Sequence, residues 1–319
     1  MTDFKLYLIK RVGYIVLSLF VISALIFSFT QLLPGNAAVM ILGQYATDEK
    51  VAELEEELGL TEPVHEQYID WMSGVLTGDW GQSYHYGNPV VEVLGPRLSH
   101  SLQLAGFSLL LVVLFGIPLG VLAAVKRGSA PDYVISGTTY VGVSMPEFVI
   151  GTLLLLLFAG PVWSVFPSGG FVPISEGVIP WLMHLALPSL TLMILLLAHI
   201  VRQTRSGVIE SLQAEYTRTA RLKGVPELQV LAKHALRNGL LPTITVLAID
   251  VGWLMGSIVV VEEVFAFPGV GRLVVRAIEN RDIPLIQITI LLIAASYAVA
   301  NLIADITYTY LDPRIDYGE

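Results

Sequence analysis

The constraint that bears hardest on this chain is a series of apolar blocks, each long enough to cross a lipid bilayer. Within its 319 residues they occupy about 12–33, 101–125, 133–160, 179–201, 241–261 and 284–310. A hydrocarbon core of about 30 Å is crossed by about 20 helical residues. Inside it the backbone has no water to bond, so each block must be a helix, which satisfies its own N–H and C=O groups. Charge is correspondingly scarce: 14% of the residues are charged and 54% are hydrophobic, where a soluble domain carries about 25% charged residues. The expected fold class is all-α, a polytopic membrane protein with six transmembrane helices. With no cysteine, disulfides, thiol catalysis and cysteine-held metals are excluded.

The first block follows Lys5, Lys10 and Arg11, as the core of a secretory signal would. It is too long for such a core and no small-residue cleavage site follows, so it is read as a retained helix. The positive-inside bias sets the orientation. With the N-terminus inside, the cytoplasmic side receives every Lys and Arg except Lys50, Arg97, Arg272, Arg276 and Arg281. Both termini are then cytoplasmic, and residues 34–98 lie outside.

That outer segment is too long for a connector. Thr47 before Asp48 and Glu49 predicts a capped helix start. Val51, Leu54 and Leu58 recur at helical spacing before Gly59 stops the helix. A second helix is expected after Pro63, carrying Tyr68, Trp71 and Val75. The result is a small helical outer domain, acidic apart from Lys50 and Arg97; its charge suits a basic docking partner and equally serves solubility. The chain thus divides into 1–33 (cytoplasmic N-terminus and first helix), 34–98 (outer domain), 99–310 (five-helix core with cytoplasmic loop 202–240) and 311–319 (cytoplasmic tail).

Catalytic motifs are missing from the sequence. It has no HExxH, no GxSxG and no GxxxxGK[ST] phosphate loop, so no ATP hydrolysis through that fold is expected. His184 and His199 share the fourth block but stand about 22 Å apart along a helix, too far for one metal. They are read as packed or interfacial, and no metal site is expected. Glu147, Asp250 and Asp305 lie within the blocks, where an ionisable group is costly if it faces lipid. Each is a candidate for the translocation pathway or for packing. Asp250 is flanked by Gly252 and Gly256, which permit close helix approach, and is expected to face the bundle.

The cytoplasmic loop is the most informative stretch. Residues 210–223 read as a helix ending in basic residues, with Gly224 just past its end. Pro226 suits the first turn of a new helix, whose apolar face would be Leu228, Leu231, Ala235 and Leu236. Gly239 and Pro242 close it. Small side chains at Thr219 and Ala220 would let this elbow seat in a groove of another protein. A plain basic connector is the alternative reading on physics alone.

Glu215-Tyr216-Thr217, followed by Ala220-Arg221-Leu222-Lys223-Gly224, resembles the signature loop of ABC-type import permeases: Glu-Ala-Ala, three residues, then Gly. Tyrosine in the second position is similar to the dipeptide/oligopeptide/nickel branch. So is the run Ala220, Arg221, Lys223, Gly224, His234, Leu236, Arg237, Asn238, Leu241 and Pro242. Further matches stand in the expected order: Leu33-Pro34-Gly35, Leu58-Gly59-Leu60, Gly78-Asp79-Trp80-Gly81-Gln82-Ser83 and Ser144-Met145-Pro146-Glu147-Phe148. Arg202-Gln203-Thr204-Arg205, Glu262-Glu263-Val264-Phe265, Phe267-Pro268-Gly269-Val270-Gly271 and Leu311-Asp312-Pro313-Arg314 complete the series. Pro34-Gly35-Asn36-Ala37 lacks the acid and proline usual there, and Leu222 replaces a common alanine.

The resemblance implies a permease of the cell membrane, the one with the larger outer domain, in an importer of peptides or similar small solutes. It implies as partners a second permease subunit, two cytoplasmic ATPase subunits, an extracytoplasmic substrate-binding protein and the lipid bilayer, with no nucleic acid. No cofactor would be bound by this chain; ATP and Mg would be used by the partner ATPase. Glu215, Tyr216, Arg218, Thr219, Ala220, Arg221, Lys223, Gly224 and Pro226 would form the ATPase-coupling elbow. The main alternative is an ion-coupled secondary transporter using Asp250 and Glu147. A membrane-embedded hydrolase lacks a nucleophile–base pair, and a passive pore leaves the elbow unexplained.

Overall fold

The computed structural model describes residues 2–32, 37–160 and 163–311. Leu33-Pro34-Gly35-Asn36, Asp312-Pro313-Arg314 and the rest of the tail lie outside the described residues. In chain order the helices are α1 (Thr2–Gln31), α2 (Ala37–Leu42), α3 (Asp48–Glu57), α4 (Val64–Thr77) and α5 (Val90–Val125). Then come α6 (Ala130–Val143), α7 (Glu147–Ala159), α8 (Val178–Gln213), α9 (Glu215–Leu222) and α10 (227–239). They end with α11 (Leu241–Val264), α12 (Val270–Glu279) and α13 (Ile283–Leu311).

The helices α1, α5, α8, α11 and α13 are long and apolar enough to cross a membrane. The block expected at 133–160 departs from a straight helix: α6 and α7 meet at a 106° bend, one broken span or a re-entrant pair. Pro146 explains the break. It has no N–H to donate and disfavours helical geometry at Met145, and it stands extended (φ −60°, ψ 146°) as the residue before α7. The protein is thus an all-α polytopic membrane protein of up to six spans.

Two compact units divide the chain: Met1–Ser101 with Pro268–Ser296, and Leu102–Phe267 with Tyr297–Glu319. The sequence division at 34–98 did not anticipate that residues 268–296 group with the N-terminal third. In the first unit, Val90 and Leu94 of α5 pack with Leu273 and Ala277 of α12 and Leu285, Ile286 and Ile288 of α13. Thr47 caps α3 as expected, its hydroxyl accepting from the Lys50 N–H. The helix α4 lies along α1. Tyr68 meets the Ser23 hydroxyl at 2.9 Å, Gln31 donates to Gln67 at 3.0 Å, and Phe27 meets Tyr68 edge-on and Trp71 at a tilt. Ser23 falls midway in the apolar block 12–33, so α4 runs beside a membrane-spanning segment and does not stand clear of it.

The second unit is built on α8, whose buried face includes Leu192, Leu196, Ile200, Thr204 and Gly207. Leu104 and Val112 of α5 and Leu254, Ile258 and Val261 of α11 complete that core. At 36 residues, α8 is about 54 Å long and overshoots a bilayer. Its apolar block ends near residue 201, and the polar remainder carries the chain away from the core to the elbow.

Candidate functional site

The helix expected at 210–223 is two helices. The run of α8 ends at Gln213, Ala214 is extended (φ −68°, ψ 151°), and α9 begins at Glu215. No glycine or proline announces this break. Other groups hold it by satisfying carbonyls that a helix end leaves bare. The buried Thr217 hydroxyl donates to Ser211 O at 2.6 Å, and Arg221 donates from a terminal nitrogen to Leu212 O at 3.1 Å.

The far end of α9 closes as expected at Gly224, which has φ +78°. Val225 N–H donates to Ala220 O at 3.2 Å and Gly224 N–H to Arg221 O at 2.9 Å, the paired bonds of a Schellman ending. Pro226 (φ −58°, ψ 142°) then precedes α10. Arg221 spans the turn, donating to both carboxylate oxygens of Glu227 at 2.7 and 3.4 Å. One guanidinium therefore ties the end of α8, the end of α9 and the start of α10. Glu227 was not among the residues singled out from sequence. Its signal was present, a carboxylate in the first turn of a helix just past a basic one, but such pairs are common on solvated surfaces.

The apolar face of α10 is in part the expected one. Ala235 is buried and Leu231 and Leu236 are half-buried, whereas Leu228 is 77% exposed, and Val230 and Gly239 are buried as well. Residues 230–235 form a π turn, which inserts one residue and rotates everything after it by about 100° relative to an α register. Counting at three and four residues therefore held for Leu231, Ala235 and Leu236, and failed for Leu228, which precedes the π turn. On α9, Ala220 and Thr217 turn inward and are buried against this chain, so Ala220 is not available to a partner's groove. Thr219 is exposed, as are Glu215, Arg218, Arg221, Lys223, Gly224 and Pro226. Arg218 and Glu215 approach to 4.0 Å. Tyr216 and Leu222 stand out among them, with Leu222 81% exposed. The outward surface is thus an apolar tip of Tyr216, Leu222 and Leu228 beside Arg218 and Lys223.

The elbow is anchored at one level of α8. Arg205 holds the buried Asp132 of α6 through two bonds of 2.7 and 2.8 Å, and the Gly128 N–H donates to the same carboxylate at 2.9 Å. Thr204 and Thr243 hydroxyls meet at 3.1 Å. Gly207 and Gly239 let two backbones touch: a Cβ on Gly207 would stand 2.3 Å from Gly239 O.

Asp250 faces the bundle, as expected, and is 4% exposed. His199 Nδ1 lies 3.4 Å from its Oδ1, and the His199 ring meets Trp253 edge-on. Among the described residues its Oδ2 has no hydrogen-bond partner. His199, read from sequence as packed or interfacial, is therefore the partner of the one deeply buried carboxylate singled out there. Of its flanking glycines, Gly252 is closely approached by Asn301 and Tyr297, but the space beside Gly256 is open. Glu147 is half-buried in the first turn of α7, where a carboxylate suits the helix dipole. Asp305, also half-buried, lies on another helix, α13, and neither is joined to Asp250.

Residues 116–317 match the family described as binding-protein-dependent transport system inner membrane component. Residues 4–105 match the corresponding N-terminal family of transport-system membrane components. The probable peptide ABC transporter permease protein y4tP of Sinorhizobium fredii is 40% identical over 312 residues, 98% of this chain and 99% of that one. The glutathione transport system permease proteins GsiC of Salmonella choleraesuis and Escherichia coli K12 are each 37% identical over 311 residues, again 98% of this chain and 99% of theirs.

Proposed function

Because the chain belongs to the binding-protein-dependent transport system inner membrane components, and so is a permease subunit of an importer and not an enzyme, we propose that it carries peptide-class solutes across the cell membrane. The names of its relatives support that cargo: peptide in one case, glutathione in the others. The family implies a partner permease, an ATPase and a binding protein; in this proposal one second permease and two ATPase subunits complete the assembly, and ATP and Mg are used by the ATPase alone. Both termini face the cytoplasm, by the Lys and Arg bias. An ion-coupled carrier is not favoured by these relatives.

The elbow carries the mechanistic part of the proposal. An exposed tip of Tyr216, Leu222 and Leu228 is a poor surface to leave in water. It stands on two short helices locked by Arg221 and Glu227. We infer that this tip docks in a groove of the ATPase, with Glu215, Arg218, Thr219 and Lys223 at its rim, and that closure of the ATPase moves α8 and α11 as rigid bodies. Asp250, with His199, is a candidate for the pathway those helices border. The test is reconstitution in vesicles with the partner permease, with and without the ATPase and binding protein. Labelled peptide should enter only with the full set and ATP. Uptake driven by a proton or sodium gradient without ATPase would overturn the reading.

A further inference from the structure

The first unit holds a cleft of about 380 Å³ whose lining is unlike the rest of that unit. Arg97, Arg272 and Arg276 line it together with His85, Tyr86 and Asn280, and the Pro268–Gly269 backbone closes one end. Among the described residues, three arginines and no acidic residue thus line one small volume. The concentration runs against the local trend, because residues 34–98 are acidic apart from Lys50 and Arg97.

The cations are held in place by a frame whose polar groups are used inside it. Residues 272, 276 and 280 recur at helical spacing on one side of α12, while Val270, Leu273, Val274 and Ala277 of its other side are buried. The Val270 N–H donates to Ser101 Oγ at 2.8 Å, and His100 Nδ1 is 2.9 Å from Pro268 O. The turn bearing His85 and Tyr86 is pinned by the buried Asp282, which accepts from the Ser83 hydroxyl and from the His85 N–H at 3.1 Å. Burial, with the charge of Asp282, pushes the neighbouring Tyr84 phenol up to about 12, so it adds no negative charge near the cleft. The Arg97 guanidinium lies 5.0 Å from the centre of the Tyr86 ring, and Arg276 meets Glu279 at 3.5 Å on the exposed side.

Three arginines around one small volume make its potential positive even with Glu279 beside Arg276, which favours an anion there. The guanidinium fork matches phosphate oxygens two at a time, and the start of α12 beside Gly269 adds the positive end of a helix dipole. Arg97 stands one turn before Ser101, where the apolar block 101–125 begins, which suits a site near the lipid headgroups. We propose that it is a binding site for the phosphate group of a small molecule, carried by an anionic lipid or by a free phosphorylated solute. The site is independent of the cargo assigned above.

The test uses the purified full-length chain with its partner subunits. Inorganic phosphate is titrated by calorimetry in detergent against chloride of matched ionic strength. Saturable binding is expected, weakened at least tenfold by Arg97→Gln, Arg272→Gln or Arg276→Gln and unchanged by Lys50→Gln, which lies outside the cleft. Asn280→Asp supplies a second variant whose main change is a carboxylate in the lining; it should abolish binding while the thermal midpoint without phosphate stays near wild type. Repeating the titration in nanodiscs separates the sources. If the natural occupant is a lipid, anionic lipid discs suppress phosphate binding and phosphatidylcholine discs do not; if it is a solute, phosphate binds equally in both. Absence of saturable phosphate binding to the wild type, or binding indifferent to all four cleft substitutions, would overturn the proposal.

Discussion

Substituting Gly224 tests whether the angle of the elbow matters to how the transporter is driven. The backbone there has φ +78°, and the position a Cβ would take has nothing within 4 Å. Any penalty is therefore conformational and not a clash. A β-branched residue held in the left-handed region costs about 1–2 kcal/mol or more. If the chain escapes by leaving that region, it forfeits the bonds from Val225 to Ala220 and from Gly224 to Arg221, each contributing about 0.5–1.5 kcal/mol net. Both routes cost a similar amount, so Gly224→Val should depopulate the native elbow about five- to thirtyfold. That is far too little to unfold membrane-spanning helices whose packing lies elsewhere. The expected result is normal membrane abundance, reduced capture of the ATPase in a pull-down and reduced ATP-driven uptake. Asn tolerates the left-handed region, so Gly224→Asn should retain most activity and Gly224→Ala should fall between. Wild-type uptake by Gly224→Val, or equal loss in Asn and Val, would show that the left-handed turn does not set the coupling.

Three further outcomes are expected. Gly207→Ala places a Cβ 2.3 Å from the Gly239 carbonyl oxygen, and backbone yields poorly, so a loss of about 1–3 kcal/mol should appear as lower membrane abundance and thermal midpoint; Gly256→Ala, in open space, serves as the neutral control. Asp132→Asn removes the buried carboxylate that Arg205 holds, and because Arg205 is itself partly exposed the loss is that of a charge-assisted hydrogen bond, about 1.5–3 kcal/mol; Asp132→Asn with Arg205→Met should recover part of the lost abundance, and a double variant worse than the single would refute the pairing. Asp250→Asn should insert normally yet impair uptake, with His199→Gln doing the same and the double no worse than either, since contacting partners are not additive; normal uptake by Asp250→Asn would return the carboxylate to a packing role.

The spans were legible because a bilayer imposes one condition on every residue of a crossing segment, and hydropathy reads that condition directly. The elbow was partly legible for a different reason: Gly224 and Pro226 are local signals, and both stand where such signals belong. What the sequence concealed was tertiary. The break at Ala214 has no breaker residue, because its stability comes from Thr217 and Arg221 reaching back to carbonyls of α8. At the start of α10 it is Val230 that is buried and Leu228 that is exposed, a choice set by what packs there and not by apolar spacing. The partners of Asp250 and Arg205 are 51 and 73 residues away, so each looked solitary in one dimension. Pro146 was visible, but whether a proline kinks a span or reverses it depends on what packs against the two arms. Here Gly142 of α6 meets Ile194 of α8, and Gly151 of α7 meets Val264 and Phe265 at the end of α11.

These hidden contacts also explain how a short elbow could move long helices. Beyond its apolar block α8 continues for about twelve residues, about 18 Å, and an unsupported helix of that length would bend before it transmitted force. The Asp132–Arg205 bonds, the Thr204–Thr243 contact and the Gly207–Gly239 approach all fall within four residues of α8. They bind α8 to α6, α10 and α11 at one level, short of the elbow. A displacement of the Leu222–Leu228 tip therefore reaches several helices together, as a rigid-body mechanism requires. The two sets of substitutions should then separate cleanly. Loosening the clasp lowers how much folded protein is present, whereas loosening the turn at Gly224 leaves the protein present and disconnects it from its ATPase. If Asp132→Asn and Gly224→Val gave the same phenotype at equal membrane abundance, clasp and elbow would be one element, and this division between support and lever would be wrong.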